Sequence, residues 1–476
     1  MPELFELSAT ELMSGYRQRR FSPVDVVAEL NERIELLNPD LNAFCTINLD
    51  AAIQKAQESK SAIERGDNRP LLGIPIAIKD LIDTRGIRTS YGSSMFLNNI
   101  PASDAVVVAN LERAGAIVIG KTATHEFAWG FTNDNPHFGP THNPWNRDRI
   151  PGGSSGGSAV SVASGMAPLA IGTDTGGSIR VPCTFCGTAG VKPTYRSVSS
   201  KGIFPLAASL DHVGAIARDP WDLRLLLKVM QSANRRDWED NPELVFKSLA
   251  NVRIGIAECL HQPAPDTDIA AVFDSACGIL QEAGATGVSF DDMQIPDIPG
   301  VFTTIMLAES LHTHRQAQLY PGRYKEYGAD IRKRIDLARE ISLDDYLEAS
   351  EQRRTLTRKL EKVLCEVDVI VSLCAASTPP RIESLFPPAA ETQDQYDLRR
   401  IVLGYTALQN LTGLPACTVR AGFDDQGMPV GIQFTGRMGA DQTVLSIAAL
   451  FYQLTPDIQK IRPVPEGALP AKQTEA

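Results

Sequence analysis

At 476 residues, with 43% hydrophobic and 22% charged side chains, the chain has the make-up of an ordinary folded protein with a sizeable core, which excludes a largely disordered one. Its 46 Lys+Arg against 57 Asp+Glu leave a net charge of −11, and no basic stripe or aromatic-studded motif offsets it, so nucleic acid is not expected as a direct partner. No apolar run has bilayer length, and the start, Met1 to Ser8, has neither the basic nor the apolar part of a signal peptide; the expectation is a cytoplasmic protein with no membrane role.

Ser8 and Thr10 are candidate caps for a first helix. A second begins at Ser22-Pro23, with Val26, Val27, Leu30, Ile34 and Leu37 at helical spacing. Residues 50–64 give an amphipathic helix; Leu71 through Ile78 and Ala116 through Gly120 read as strands separated by a helix at 104–114. That alternation predicts an α/β layer structure. Farther on, a helix at Asp219–Ser232, a strand at Val252–Ala257, helices at 265–284, 303–319 and 342–366, and strands at Val367–Leu373 and Val430–Thr435 continue the pattern. The 342–366 helix carries Glu351, Arg354, Arg358, Lys359 and Glu361, the pattern of a solvated face. No linker or internal repeat interrupts the chain.

Two glycine-serine runs stand out: Gly152 to Ser158, and Asp174-Thr175-Gly176-Gly177-Ser178. Flexible linkers are longer and less varied, whereas these runs flank residues that read as packed structure: a small-residue helix at Ala159–Ala167 and a buried strand at Pro168–Thr173. Upstream, the apolar run Gly73-Ile74-Pro75-Ile76-Ala77-Ile78 ends on Lys79, a charge that burial would penalise. Serine hydroxyls are poor nucleophiles, and a neutral lysine can activate them. A snorkelling surface lysine beside Asp80 is the bland reading of Lys79.

Eight cysteines, at 45, 183, 186, 259, 277, 365, 374 and 417, are scattered. Cys183 and Cys186 have redox or half-zinc spacing, but no second pair completes a site, so buried free thiols and no metal are expected. The run Gly152-Gly153-Ser154-Ser155-Gly156 also satisfies the Gly-x-Ser-x-Gly elbow pattern, which would make Ser154 a nucleophile and need a histidine from His212, His261, His312 or His314. The elbow leaves Lys79 and Ser178 without a role; His212 reads better as a satisfied structural residue.

Lys79 with its Gly-Ile-Pro lead-in, the Pro151–Ser158 loop, Gly172 to Ser178, Gly190-Val191-Lys192-Pro193-Thr194, Leu210-Asp211-His212-Val213-Gly214 and Asn410 to Pro415 together resemble the amidase signature family of Ser-Ser-Lys hydrolases, over most of residues 70–435. The resemblance implies one large α/β domain over 1–476, a central mixed sheet covered by helices on both faces, with 1–66 as peripheral N-terminal helices and 70–435 as the motif-bearing core. It implies Ser178 as acyl-enzyme nucleophile, Ser154 as proton relay preceded by a cis peptide bond, Lys79 as general base, and no cofactor. Backbone N–H groups of Thr175, Gly176, Gly177 and Ser178 are expected to form the oxyanion hole.

The expected partner is a small-molecule amide, and a homodimer is left open. Trp129 and Phe131, in the aromatic segment His125 to Phe131, are expected to line the acyl side with Gly153 and Leu403, which points to a hydrophobic or aryl amide; Phe127 is expected in the core. The glutaminase component of tRNA-dependent amidotransferases is similar over the same motifs, but it places an aspartate for the glutamine ammonium where this chain has Leu403, three residues before Thr406. Carbamate, urea or ester cleavage by the same chemistry, and a non-catalytic binding relative, complete the alternatives.

Overall fold

The computed structural model describes residues 3–231, 246–256, 260–290, 296–382 and 393–463, apart from the side chains of 393–400. Eleven strands form one mixed sheet. In chain order they are β1 (Phe44–Ile47), β2 (Pro75–Lys79), β3 (Ile117–Thr122), β6 (Leu169–Asp174), β7 (Ala189–Lys192), β8 (His212–Ala217), β9 (Arg253–Ile256), β10 (Thr286–Ser289), β11 (Val369–Leu373), β12 (Ala416–Phe423) and β13 (Pro429–Thr435); β4 (Asp134–Asn135) and β5 (Gly139–Pro140) pair separately. The order across the sheet is β1-β3-β2-β6-β8-β7-β12-β13-β11-β9-β10. β2 runs parallel to both β3 and β6, with Ile78 opposite Ile171, so both strands end at the same edge.

The two-residue period of a strand explains why helices cover both faces. Ile76 and Ile78 enter one core with Val107, Leu111, Leu223 and Leu227, while Ala77 between them enters a second with Val27, Ile34, Ala159 and Val162. A third core lies over Ile370, where the helices Ile298–Gln316, Ala329–Arg339 and Leu343–Glu366 pack against Leu408 and Leu411 of the helix Gln393–Thr412.

Local chemistry accounts for the places where expectation and structure differ. The predicted strand over 71–78 begins only at Pro75, because Gly73 turns the chain at φ 79° and Ile74 N–H closes on Leu71. The helix expected over 159–167 runs from Gly156 to Ala163 and stops before Gly165, at φ 71°. Ser8 and Ser22 each form a reciprocal capping box, while Thr10 gives its hydroxyl to Asp222. Residues 1–66 are not only peripheral helices: Phe44–Ile47 adds an edge strand antiparallel to β3. Strands β1, β7, β8, β10 and β12 were not anticipated. Arg354 and Arg358 both meet Glu351 on the exposed face of their helix, as that charge run suggested. Cys183 and Cys186 are buried free thiols; Cys259 lies outside the described residues. No helix among the described residues is long and apolar enough to cross a membrane.

Candidate active site

Lys79 is the last residue of β2 and fully buried. Beside it, β6 ends on Thr173 and Asp174, and between the two the Gly152–Ser155 loop enters the Gly156–Ala163 helix. That helix lies close because Gly157 has no side chain: a Cβ there would fall 2.5 Å from Ala43 O and 2.6 Å from Ala123 N. The Gly153-Ser154 peptide bond is cis. Lys79 Nζ therefore sits among three hydroxyls, Ser154 Oγ at 2.8 Å, Ser155 Oγ at 2.9 Å and Thr173 Oγ1 at 2.8 Å.

No carboxylate lies within ion-pair distance of Lys79 among the described residues. Burial pulls its pKa down to about 7, against the opposing pull of Asp174 and Asp211. The reading of Lys79 as a snorkelling surface residue is thereby excluded. Its neighbour Asp80 is equally buried and faces a different cation, Lys121, at 3.7 Å.

Ser178 lies in the turn after β6, half-exposed to a cavity of about 50 Å³. Its carbonyl accepts Ser155 N–H at 3.1 Å, which ties the two glycine-serine runs together. The Ser178 hydroxyl makes no hydrogen bond with Ser154 here; that contact is one which catalytic groups commonly make only with substrate bound. Of the four expected oxyanion donors, Gly177 is already committed: its N–H donates to Asp174 Oδ1 at 2.8 Å. Thr175, Gly176 and Ser178 have no such partner among the described residues, so three donors remain on this turn.

A buried ion pair that the sequence reading missed holds the turn. Arg180 grips Asp174 with Nη2 at 3.0 Å and Nε at 3.1 Å, then reaches Gln409, Gln433, Asn410 and the Thr406 carbonyl. Burial alone would raise the Asp174 pKa, but Arg180 outweighs it and keeps the carboxylate ionised, well below its ordinary range. Thr406 Oγ1 donates to Gly176 O at 2.6 Å, and Thr175 Oγ1 to Asp211 at 2.6 Å. The signal for this frame was in the sequence: Asp174 and Arg180 bracket Ser178, and Gln409-Asn410 open the last matched motif.

The cavity brings together Trp129, Phe131, Gly153 and Leu403 with Thr175 through Ser178, as expected, and adds Phe302, Met306, Val402 and Arg334. Trp129 is nearly all core: its ring stacks on His314 at 5.5 Å, and only an edge meets the cavity. Phe127 is fully buried among Phe96, Phe204 and Tyr327. No histidine approaches Ser154. His212 hydrogen-bonds Leu210 O through Nδ1 at 2.7 Å, while its Nε2 has no partner among the described residues, so it is structural but only half satisfied. His261 stacks on Tyr405 and His314 on Trp129. The elbow reading lacks its base.

A family model described as Amidase matches residues 25–445. The glutaminase component of glutamyl-tRNA(Gln) amidotransferase from Psychrobacter sp. (strain PRwf-1) is 34% identical over 497 aligned positions, covering 96% of this chain and 97% of that protein. Among solved structures, the corresponding glutamyl-tRNA(Gln) amidotransferase chain from Thermotoga maritima superposes with a TM-score of 0.80 at 28% identity, covering 98% of each chain. A bacterial aryl acylamidase of the amidase signature family superposes with a TM-score of 0.84 at 25% identity, over 96% of this chain and 99% of that one.

Proposed function

This chain belongs to the amidase family of hydrolases that cut amide carbon–nitrogen bonds, and from that premise we propose that Ser178 attacks the carbonyl of a small carboxylic amide to form an acyl-enzyme. The observation that carries the proposal is the surroundings of Lys79. A neutral amine has two N–H donors and one lone pair, and three hydroxyls surround it. Ser155 gives its own proton to Thr173 O at 3.0 Å, so it accepts from Lys79. The amine's second N–H suits Thr173 Oγ1, and the lone pair is left for the Ser154 proton.

The steps then balance. Ser178 loses its proton to Ser154 as its oxygen bonds to the carbonyl carbon, and Ser154 passes its own proton to Lys79. The tetrahedral oxygen takes N–H groups from the turn that precedes Ser178; one such donor is worth about 3–4 kcal/mol. The C–N bond breaks as the Lys79 proton returns through Ser154 to the leaving nitrogen, and water repeats the path to release the acid. Carbamates, ureas and esters fit the same cycle. We take residues 1–476 as one unit, with the motif-bearing core at 70–435.

Substrate class is the finer question. A cavity of about 50 Å³ walled by Phe302 and Met306 suits a small acyl group better than the aryl group expected from Trp129 and Phe131. A second reading, the glutamine-hydrolysing component of a tRNA-dependent amidotransferase, is supported by the near full-length likeness to such proteins. Leu403 in the cavity wall weighs against glutamine. Rates on short aliphatic amides, an anilide, an aryl carbamate and glutamine, for this chain alone and co-expressed with candidate partner proteins, separate the readings. An inactive wild type with all of them, or a fully active Lys79→Ala, overturns the proposal.

A further inference from the structure

Arg334 is the only ionisable side chain among the described residues lining the cavity; the rest of the wall is apolar, hydroxyl or backbone. It is 8% exposed, and a guanidinium held against apolar walls is costly unless an anion meets it. Asp330 does so only in part. Arg334 Nε and Nη2 both donate to Asp330 Oδ2, at 3.0 and 2.7 Å, and Nη1 has no hydrogen bond among the described residues. The same carboxylate oxygen is shared with His125 Nε2, at 3.2 Å.

The placement is braced from both sides. Arg334 stands on the helix Ala329–Arg339, whose entry at Gly328 donates its N–H to Glu126 at 2.9 Å. His125 and Glu126 thus both hold that helix, and five residues after His125 the chain becomes the cavity wall at Gly130 and Phe131. Gly130 leaves room for this, since a Cβ there would fall 2.3 Å from His125 Nε2. A surface arginine has no need of such a frame.

Resting on the reading of the Ser178 cavity as the acyl site, we propose that the substrate's acyl group ends in a carboxylate that Arg334 binds through its free Nη1 edge. The acyl group carries no ammonium, because Val402 and Leu403 line the cavity and no carboxylate side chain does. The substrate class is the half-amide of a short dicarboxylic acid. Asp330 and His125 are positioning residues for the guanidinium.

Kinetics of the full chain on three amides of one length test this: glutaramate (carboxylate only), L-glutamine (carboxylate and ammonium) and pentanamide (neither). The expected result is kcat/KM for glutaramate about 100-fold or more above both others, with the advantage residing in KM. Arg334→Met should lose at least ten times more on glutaramate than on pentanamide, and Asp330→Asn should show the same bias more weakly. Glutarate should slow fluorophosphonate labelling of Ser178 in the wild type and not in Arg334→Met, a readout that needs no turnover. Equal losses on both substrates, or pentanamide matching glutaramate, overturn the carboxylate site while leaving the acyl-enzyme in place; glutamine as the best substrate replaces it with the amidotransferase reading. If Ser178 takes no label and no amide is hydrolysed, the reading of the site itself falls.

Discussion

Lys79 Nζ and Ser154 Oγ meet at 2.8 Å inside a shell where every other hydroxyl proton near the amine has somewhere else to go. The contact joins the end of β2 to a loop 75 residues later in the chain. It places a basic nitrogen next to the one serine that can hand it a proton.

A rate that depends on neutral Lys79 rises with pH. With its pKa lowered to about 7 by burial, the amine is protonated below that value and its lone pair is lost; kcat/KM should then fall about tenfold per pH unit below 7 and level off above it. Asp211, itself buried with a pKa raised to about 6, is one of the two anions that favour the lysine's charge. Asp211→Asn should therefore shift the acid limb to lower pH. A profile flat from pH 5.5 to 9 would remove Lys79 as base.

Ser178, half-exposed to the cavity, should carry the covalent adduct, and fully buried Ser154 should not. Peptide mass spectrometry after a fluorophosphonate probe places the label. Ser178→Ala should abolish it, whereas Ser154→Ala should slow labelling and leave its position unchanged. An adduct on Ser154 would return the elbow reading to contention.

Gly177→Ala tests the turn. Gly177 sits at φ 120°, where a side chain is strained, and a Cβ would also fall 2.4 Å from Thr406 Oγ1. The variant should keep its circular dichroism and lose about 100-fold or more in kcat as the donors before Ser178 are displaced. Adding Thr406→Ala removes the collision but not the backbone strain, so the double variant should recover only part of the rate. Full recovery would show that the collision alone mattered.

Breaking the Arg180–Asp174 pair should act on stability. Arg180→Met leaves a buried carboxylate without its cation, a change worth about 3–5 kcal/mol in urea unfolding. Because Arg180 holds the Asp174 pKa below its unfolded value, the pair stabilises the wild type above the ordinary carboxylate range and loses that effect as pH falls toward the folded pKa. The difference in stability between wild type and Arg180→Met should accordingly shrink as acid is added. A constant gap would mean that Asp174 is not the group responsible.

The chemistry was more legible than its support. Lys79 ends a run too apolar for a surface residue, and Ser154 and Ser178 sit in glycine contexts that no linker explains, so local composition pointed to all three. Leu403 and Phe131 were readable as wall by resemblance. Arg334 was not: on a helix with Arg332 and Lys333 before it, it looks like one more solvated charge, and only the packing of that helix on His125 and Glu126 turns it inward. Strands β7, β8 and β12 escaped because glycines and polar residues interrupt their runs; their place between other strands, rather than their own propensity, makes them extended. The Asp174–Arg180 frame needed Gln409, Asn410 and Gln433, more than 200 residues away, before its purpose could be seen.

The three groups proposed to do chemistry fall between residues 79 and 178, whereas Phe302, Met306, Arg334, Val402 and Leu403 all come from the later part of the chain. Drift in the wall can therefore retune which acid is released without disturbing the amine or the serines, and a lineage can keep one reaction while trading one nutrient for another. The division is incomplete at one place. Thr406 stands a single helical turn from Val402 and hydrogen-bonds the Gly176 carbonyl, so residues 402–406 are where a change of diet would be felt by the machinery itself.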